Sequence, residues 1–131
     1  MAAFMKPFEP QLFALLRIVA GLMFLCHGTQ KLFGWPAPVP DPSAVPAFVT
    51  YVGGPVELIT GLLVAVGLFT RWAAFIAAGQ MAAAYWIAHG LNSFFPLVNQ
   101  GELAVLYCFV FLFIAAHGSG IWSADAARAK S

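Results

Sequence analysis

The chain has 131 residues, of which 62% are hydrophobic and 8% are charged, and its formal net charge is +1. A soluble domain has roughly 45–50% apolar and about 25% charged residues, and six basic with five acidic side chains are too few to cover such a surface. The composition excludes a soluble enzyme and a disordered chain, and the small net charge offers no basic patch for nucleic acid. We therefore expect a protein that is solvated mainly by the lipid bilayer.

Four apolar stretches are candidates for membrane-spanning helices, since about 20 mostly apolar residues cross the hydrocarbon core of a bilayer. They cover about residues 11–28, 51–69, 72–91 and 102–121. Together they occupy most of the chain and leave no room for a separate soluble domain. The sequence therefore predicts an all-α fold in which residues 1–131 form one integral membrane domain, an antiparallel bundle of four transmembrane helices.

The first stretch contains Arg17, and His27 and Lys31 follow at its end. A charge inside the bilayer costs about 2.5–3.5 kcal/mol or more, so it usually faces the bundle interior and has a partner. His27 and Lys31 are four residues apart and therefore share one face of the helix. Because Arg17 interrupts the apolar run and no small-residue cleavage site follows, we expect a retained span rather than a cleaved signal peptide.

The connection after the first stretch is the Pro-rich loop, residues 33–47, which contains Pro36, Pro38, Pro40, Pro42 and Pro46. This spacing stiffens the chain towards polyproline II and excludes regular helix or strand pairing. We interpret the loop as a semi-rigid spacer between the first two spans. A lid or a docking loop is the alternative interpretation.

The second and third stretches each carry one buried polar candidate, Glu57 and Gln80. Counted from the assumed span boundaries, both fall near mid-depth, as does Arg17. A guanidinium group can bind a carboxylate with two hydrogen bonds. We therefore predict an Arg17–Glu57 ion pair with Gln80 as a third member, which either lines a ligand site or only fixes the helix register.

The fourth stretch begins at Glu102 and contains the apolar run Leu103–Ala116. Glu102 is predicted to form a second polar layer with His27 and with His89 of the third stretch. Nine residues separate His89 from Gln80, which is half a turn on an ideal α-helix. Both side chains can therefore line one cavity only if the third helix bends.

Basic residues near the span ends predict the orientation of the protein. Lys6, Arg71, Arg128 and Lys130 would lie on one side of the membrane, and Lys31 on the other. The positive-inside rule then places both termini in the cytoplasm and the Pro-rich loop outside. We expect a multi-pass protein of the cell (inner) membrane.

The sequence offers little direct chemistry. No nucleotide-binding or catalytic motif occurs, and no paired-histidine spacing indicates a metal or haem site, so neither metal nor haem is expected. Cys26 and Cys108 lie singly within spans and are interpreted as small buried hydrophobic residues. A disulfide between the first and fourth helices is the alternative.

Five sequence features together resemble one known family. Residues 27–34 read HGTQKLFG, ten residues after Arg17, and residues 57–74 combine E-x-x-x-G-L-L with G-L-F-T-R-x-A-A. Residues 99–102 read NQGE, and residues 120–125 read GIWSAD. This combination resembles the DoxX family over nearly the whole chain. Gln100 is an insertion relative to the family pattern. The Pro-rich loop also departs from that pattern.

The resemblance to the DoxX family implies a four-helix membrane bundle linked to redox metabolism. Members are associated with thiosulfate:quinone oxidoreductase and with membrane oxidoreductase assemblies that handle reactive oxygen or thiols. We therefore predict a small subunit of a quinone- or thiol-linked complex with partner membrane or redox proteins. Electron transfer would need such a partner or a bound quinone, because the chain brings no recognisable electron carrier.

Six residues are the candidates for ligand binding, quinone binding or a proton relay: Arg17, Glu57, Gln80, His27, Lys31 and Glu102. The alternative function is a non-catalytic structural or assembly subunit that packs against larger membrane proteins. A small-solute transporter is less well supported, since no span is interrupted in the way often seen at transport sites.

Overall fold

A computed structural model describes residues 3–130, and every regular element in this range is helical. Six α-helices occur in chain order: α1 Glu9–Phe33, α2 Gly54–Val66, α3 Thr70–Ala84, α4 Pro96–Asn99, α5 Glu102–His117 and α6 Ala124–Arg128. Two π-helical segments extend them, Val49–Gly53 before α2 and Tyr85–Gly90 after α3, and 3-10 turns lie at Ala3–Phe8 and Pro42–Ala44. The prediction of an all-α fold is confirmed.

Two of these helical segments are long and apolar enough to cross a membrane, Ala3–Phe33 and Val49–Val66. The segment Glu102–His117 is apolar but shorter. Large apolar side chains on the outer surface, such as Leu22 and Phe109, are about half or more exposed, as expected for a surface in contact with lipid tails. The crossing of the membrane by four helices stays a prediction.

Helices α1 and α2 pack with their backbones in direct contact. A Cβ atom added at Gly21 would lie 2.5 Å from the backbone nitrogen of Ala65, and one added at Gly28 would lie 2.5 Å from that of Leu58. Because the earlier glycine of α1 contacts the later part of α2, the two helices are antiparallel. Small residues permit this approach, and close van der Waals packing replaces the hydrophobic drive that lipid surroundings do not provide.

Helix α3 packs along α5 with small residues against large ones. The buried face of α3 consists of alanines, which share one hydrophobic cluster with Tyr107, Phe111 and Ile114 of α5; these alanines are Ala73, Ala74, Ala77 and Ala78. Small side chains on one helix leave the space that aromatic rings of the other fill, as close-packed interiors require. The alanine face of α3 therefore lies in the packed core, whereas side chains such as Trp72 and Phe75 on the helix remain exposed.

The end of the molecule where α2 turns into α3 is held by side chains that cap helix termini. The Asp125 carboxylate accepts hydrogen bonds from the backbone N–H groups of Phe69 and Thr70, each at 3.0 Å, and from the Thr70 hydroxyl at 2.9 Å. Burial alone would raise the pKa of Asp125, but these donors and the Arg128 charge hold its pKa below the ordinary value. The carboxylate thus satisfies donors at the start of α3, where the helix dipole favours a negative charge.

Candidate functional site

A cavity of about 550 Å³ lies between the α1–α2 pair and the α3–α5 pair. Its size is in the range of small-molecule sites, which are mostly apolar with a few polar groups that orient the ligand. Apolar walls come from residues such as Phe24, Met81 and Ala104. The polar or ionisable groups that line it are His27, Lys31, Glu57, Gln80, His89, Gln100 and Tyr107.

A partly buried ion pair is the main polar feature of this cavity. The Lys31 Nζ atom donates to Glu57 Oε2 at 2.6 Å, and the Gln80 Nε2 atom donates to Glu57 Oε1 at 3.1 Å. Glu57 is only 4% exposed, and it lies midway along the continuous helical segment Val49–Val66. The predicted contact between Glu57 and Gln80 is confirmed.

The predicted Arg17–Glu57 ion pair is wrong. Arg17 is fully buried, and its Nη1 atom donates to the carbonyl oxygens of Val64 and Ala65, each at 2.7 Å. Its Nη2 atom donates to the carbonyl oxygen of Trp122 at 2.7 Å. The first two carbonyls belong to the last turn of α2, where regular α-helical hydrogen bonds end and the dipole favours a cation. The Val64 carbonyl also accepts from the Gly67 N–H at 3.2 Å. Arg17 caps a helix and does not line the cavity.

The error arose from the register that was assumed between α1 and α2. Glu57 does lie midway along the continuous helical segment Val49–Val66, but Arg17 does not lie opposite it. The backbone contact of Gly28 with Gly54, whose carbonyl oxygen lies 2.8 Å from an added Cβ, sets the register of the antiparallel pair. In this register Lys31 lies beside Glu57, and Arg17 lies at the opposite end of α2.

Tyr107 is a cavity residue that the sequence interpretation missed. It is 6% exposed, and its ring stacks on Phe111 at a centroid distance of 5.5 Å. The rings of His27 and Tyr107 make an edge-to-face contact, with their centroids 6.0 Å apart. The Tyr107 hydroxyl is buried and has no hydrogen-bond partner among residues 3–130. A signal was present, because Tyr107 carries the single hydroxyl of the apolar run Leu103–Ala116.

His89 and Gln80 both line the cavity, although an ideal α-helix would separate them by half a turn. The predicted need for a bend is met by a change from α- to π-helix at Tyr85, which widens the turn and shifts the phase of the residues that follow. His89 Nδ1 lies 2.9 Å from the carbonyl oxygen of Asn99. Because a carbonyl can only accept, Nδ1 carries the proton, and Nε2 of the neutral ring is an acceptor.

The second π-helical segment, Val49–Gly53, also lines the cavity. Pro55 follows it and has no N–H group to donate to the carbonyl of Tyr51, so a regular α-helix is disfavoured at this point. The segment exposes the Gly53 carbonyl oxygen, which accepts a hydrogen bond from Gln80 Nε2 at 3.2 Å. Both irregular segments therefore position polar groups at the cavity.

Glu102 lies away from the cavity. It is exposed in the first turn of α5 and borders a shallow depression on the outer side of that helix. No group of three or more His, Cys, Asp or Glu side chains within residues 3–130 is placed to hold a metal ion. Cys26 and Cys108 are free thiols. Of the six predicted candidates, the structure brings together Glu57, Lys31, Gln80 and His27.

Comparison with known proteins identifies the family. The DoxX family model matches residues 12–90, which include most of α1, all of α2 and α3, and five of the cavity's seven polar or ionisable residues. The chain belongs to the DoxX family. Family membership and the apolar helices together indicate a membrane protein.

Two relatives of this DoxX protein align along most of its length. A Haemophilus influenzae protein with the name "Uncharacterized protein" is 39% identical over 125 residues, which cover 92% of this chain and 93% of the relative. A Bacillus subtilis protein with the name "Putative oxidoreductase CatD" is 30% identical over 113 residues, which cover 85% of this chain and 82% of the relative. No solved structure matches the chain.

Proposed function

We propose that this DoxX protein is a small subunit of a membrane oxidoreductase complex and that its cavity binds the head group of a quinone. The observation that carries the proposal is the partly buried Lys31–Glu57–Gln80 cluster, which lies in the wall of an otherwise largely apolar cavity. An apolar pocket with a few convergent polar groups is the usual form of a small-molecule site. The relative with "oxidoreductase" in its name agrees with this assignment.

The groups that line the cavity fit the chemistry of a quinone. A planar apolar ring can pack against Phe24, Met81 and Ala104, and its carbonyl oxygens need hydrogen-bond donors. Lys31 has three N–H donors, and its bond to Glu57 uses one of them.

The cavity has an apolar rim that suits a ligand dissolved in lipid. Val52, Ile76 and Ile87 line the cavity and are at the same time 61%, 50% and 54% exposed. In a membrane these side chains would face hydrocarbon rather than water. A head group with an apolar tail can therefore enter between α2 and α3 while the tail remains in the bilayer.

The titratable groups of the cavity are arranged to hold and transfer protons. A bound quinone would supply two-electron, two-proton redox chemistry, and the electrons would come from a partner redox protein. Lys31 Nζ carries protons beside the Glu57 carboxylate, and His89, which also lines the cavity, offers Nε2 as an acceptor. Intramembrane carboxylates and histidines commonly serve as proton relays.

Quinone retention by matched variants tests the proposal. Wild-type protein, Glu57→Gln and Glu102→Gln are purified from membranes in mild detergent, and lipid extracts are assayed for quinone. We expect the wild type and Glu102→Gln to retain quinone and Glu57→Gln to lose it, because only Glu57 lines the cavity. Wild-type protein that neither retains quinone nor binds an added short-chain quinone would contradict the proposal.

The alternative is a non-catalytic subunit whose polar groups serve only packing. Arg17, Arg71 and Asp125 favour it in part, because each of these side chains is bonded to the end of a helix. Under this alternative, Glu57→Gln protein keeps its co-purifying partners and the activity of the complex. Loss of activity with the partners retained would instead support the quinone site.

The proposed location is the inner membrane with both termini in the cytoplasm. Single cysteines at Ser43 and Ala127, in a protein without Cys26 and Cys108, test this orientation with a reagent that does not cross membranes. We expect labelling from the outside at position 43 and none at position 127. The reverse pattern would contradict the orientation.

A further inference from the structure

The orientation of the Gln80 side-chain amide is fixed by its hydrogen bonds. Its Nε2 atom lies 3.2 Å from the carbonyl oxygen of Gly53 and 3.1 Å from Glu57 Oε1. A backbone carbonyl can only accept a hydrogen bond, so the atom that faces it must be the nitrogen of the amide. The Oε1 atom of Gln80 is consequently directed elsewhere, and it can act only as an acceptor.

This acceptor atom has no partner in the part of the chain that the structure describes. Gln80 Oε1 is buried without a hydrogen bond, as is the hydroxyl of Tyr107, and both residues line the cavity. Tyr107 is more than nine-tenths buried. Buried polar groups are almost always hydrogen-bonded in folded proteins, and an unsatisfied acceptor carries a desolvation cost. A ligand that donates a hydrogen bond to Gln80 Oε1 would remove this cost.

We propose that the cavity selects ligands that carry a hydroxyl donor, and that it therefore binds a hydroquinone more tightly than the corresponding quinone. This inference rests on the proposed function. A quinone offers only acceptor oxygens, which leave Gln80 Oε1 without a partner, whereas a hydroquinone hydroxyl can donate to it. The Tyr107 hydroxyl can donate or accept, so it serves both forms, and Gln80 discriminates between them.

The expected preference is about tenfold, which equals 1.4 kcal/mol. Sites built to bond a donor or acceptor discriminate against an analogue that lacks it because their own buried group is then unpaired. For a two-electron couple, a tenfold preference for the reduced form raises the reduction potential of the bound couple by about 30 mV. The protein would therefore hold the product of quinone reduction more tightly than the oxidised ligand.

A ligand series tests the inference on the unmodified protein. Affinities for a short-chain benzoquinone, its hydroquinone and the dimethyl ether of that hydroquinone are measured by anaerobic calorimetry in detergent. The ether has the same ring as the hydroquinone but no O–H donor. We expect the hydroquinone to bind about tenfold more tightly than both other ligands. If the quinone and the ether bind as tightly as the hydroquinone, the inference is wrong and the quinone site stands. If none of the three binds, the proposed function is wrong as well.

Two variants assign the preference to a residue. Gln80→Met keeps the length of the side chain but removes Oε1, so the affinities for quinone and hydroquinone should become equal within about twofold. Tyr107→Phe should lower the affinities for quinone and hydroquinone to a similar extent and leave the ratio of the two affinities unchanged. A preference that persists in Gln80→Met, or one that disappears in Tyr107→Phe alone, would overturn the role of Gln80.

Discussion

Helix α1 carries two cations, the buried Arg17 and the partly buried Lys31, and the two are stabilised in different ways. Arg17 hydrogen-bonds to backbone carbonyl oxygens at the end of α2 and near Trp122, and we refer to this region as the Arg17 end. Lys31 bonds to the Glu57 carboxylate beside the cavity, and we refer to that region as the Glu57 end. Carbonyls at a helix terminus are fixed by the fold, whereas a carboxylate can exchange protons and partners. This difference agrees with the proposal that the Glu57 end serves binding, whereas the Arg17 end serves stability.

Removal of Arg17 should produce the largest loss of stability. We expect Arg17→Leu to lower the free energy of unfolding by about 3 kcal/mol or more, because a buried charged group makes several hydrogen bonds, each contributing about 1.5–3 kcal/mol. Denaturant titration of the purified protein measures the loss. Arg71→Leu is the matched control, since Arg71 donates to the carbonyls of Ala115 and Ala116 from an exposed position, and it should cost about 1 kcal/mol. Equal losses for the two variants would show that burial at the Arg17 end has no special role.

Disruption of the backbone contact between α1 and α2 should lower the stability of the protein nearly as much. Gly21→Ala places a Cβ atom 2.5 Å from the Ala65 nitrogen and 2.8 Å from the Gly61 carbonyl oxygen, so α1 and α2 must separate, at a cost of about 1–3 kcal/mol. In Gly79→Ala the added atom has no other atom within 4 Å, and the higher helix propensity of alanine should stabilise the protein by up to about 1 kcal/mol. Thermal unfolding compares the two variants. A neutral Gly21→Ala would contradict the observed helix contact.

Double-mutant cycles distinguish the ion pair that exists from the one that the sequence suggested. Lys31→Met and Glu57→Gln should show a coupling energy of roughly 0.5–3 kcal/mol, because the two side chains are in direct contact. Arg17→Leu combined with Glu57→Gln should be additive within about 0.5 kcal/mol, since the two groups share no partner. Unfolding free energies of the single and double variants provide both values. Strong coupling between positions 17 and 57 would restore the rejected pair.

The smallest effect is expected for the cap of α3, and it should depend on pH. Hydrogen bonds hold the pKa of Asp125 below its ordinary value, so the native state binds fewer protons there than the unfolded chain. Its stabilising contribution is complete above the ordinary aspartate pKa of about 3.9 and declines as the pH falls through the lowered pKa. Asp125→Asn should cost about 1 kcal/mol at neutral pH and remove this part of the acid sensitivity.

Melting temperatures between pH 7 and pH 3 measure this difference. Asp41→Asn is the control, because Asp41 caps only the short 3-10 turn Pro42–Ala44 within its own exposed loop, through Ser43, and does not bond to one of the packed helices. At neutral pH, we expect Asp41→Asn to lower the melting temperature less than Asp125→Asn does. An Asp125→Asn protein with the same acid profile as the wild type would contradict the assigned cap.

The sequence predicted the helices better than it predicted their contacts. Apolar stretches identify helices because each stretch is long and uninterrupted, and the contact between Glu57 and Gln80 followed from shared depth. The partner of Glu57 did not follow, since the axial register of α1 and α2 depends on which glycines touch, such as Gly28 and Gly54. Hydropathy carries no information about that register.

Local backbone geometry explains the other differences. The sequence indicated that Gln80 and His89 could share a cavity only if the helix bends, but it did not indicate where, because π-helical segments have no reliable sequence pattern. Tyr107 was missed because an aromatic residue in an apolar run usually packs in the core. Its role depends on the unpartnered hydroxyl, which becomes visible only when the surrounding side chains have been placed.

The two π-helical segments line the cavity. The positions of its polar side chains therefore depend on the number of residues in these segments as well as on the identity of the residues. A π-helical turn accommodates an extra residue relative to the α-helix, and successive residues of an α-helix are about 100° apart around its axis. Deletion of a single residue within Tyr85–Gly90 would return this wall to α-helical phase and rotate His89 by about 100° away from Gln80. Relatives with a deletion at this point would thus have a different ligand chemistry, even with every polar cavity side chain retained.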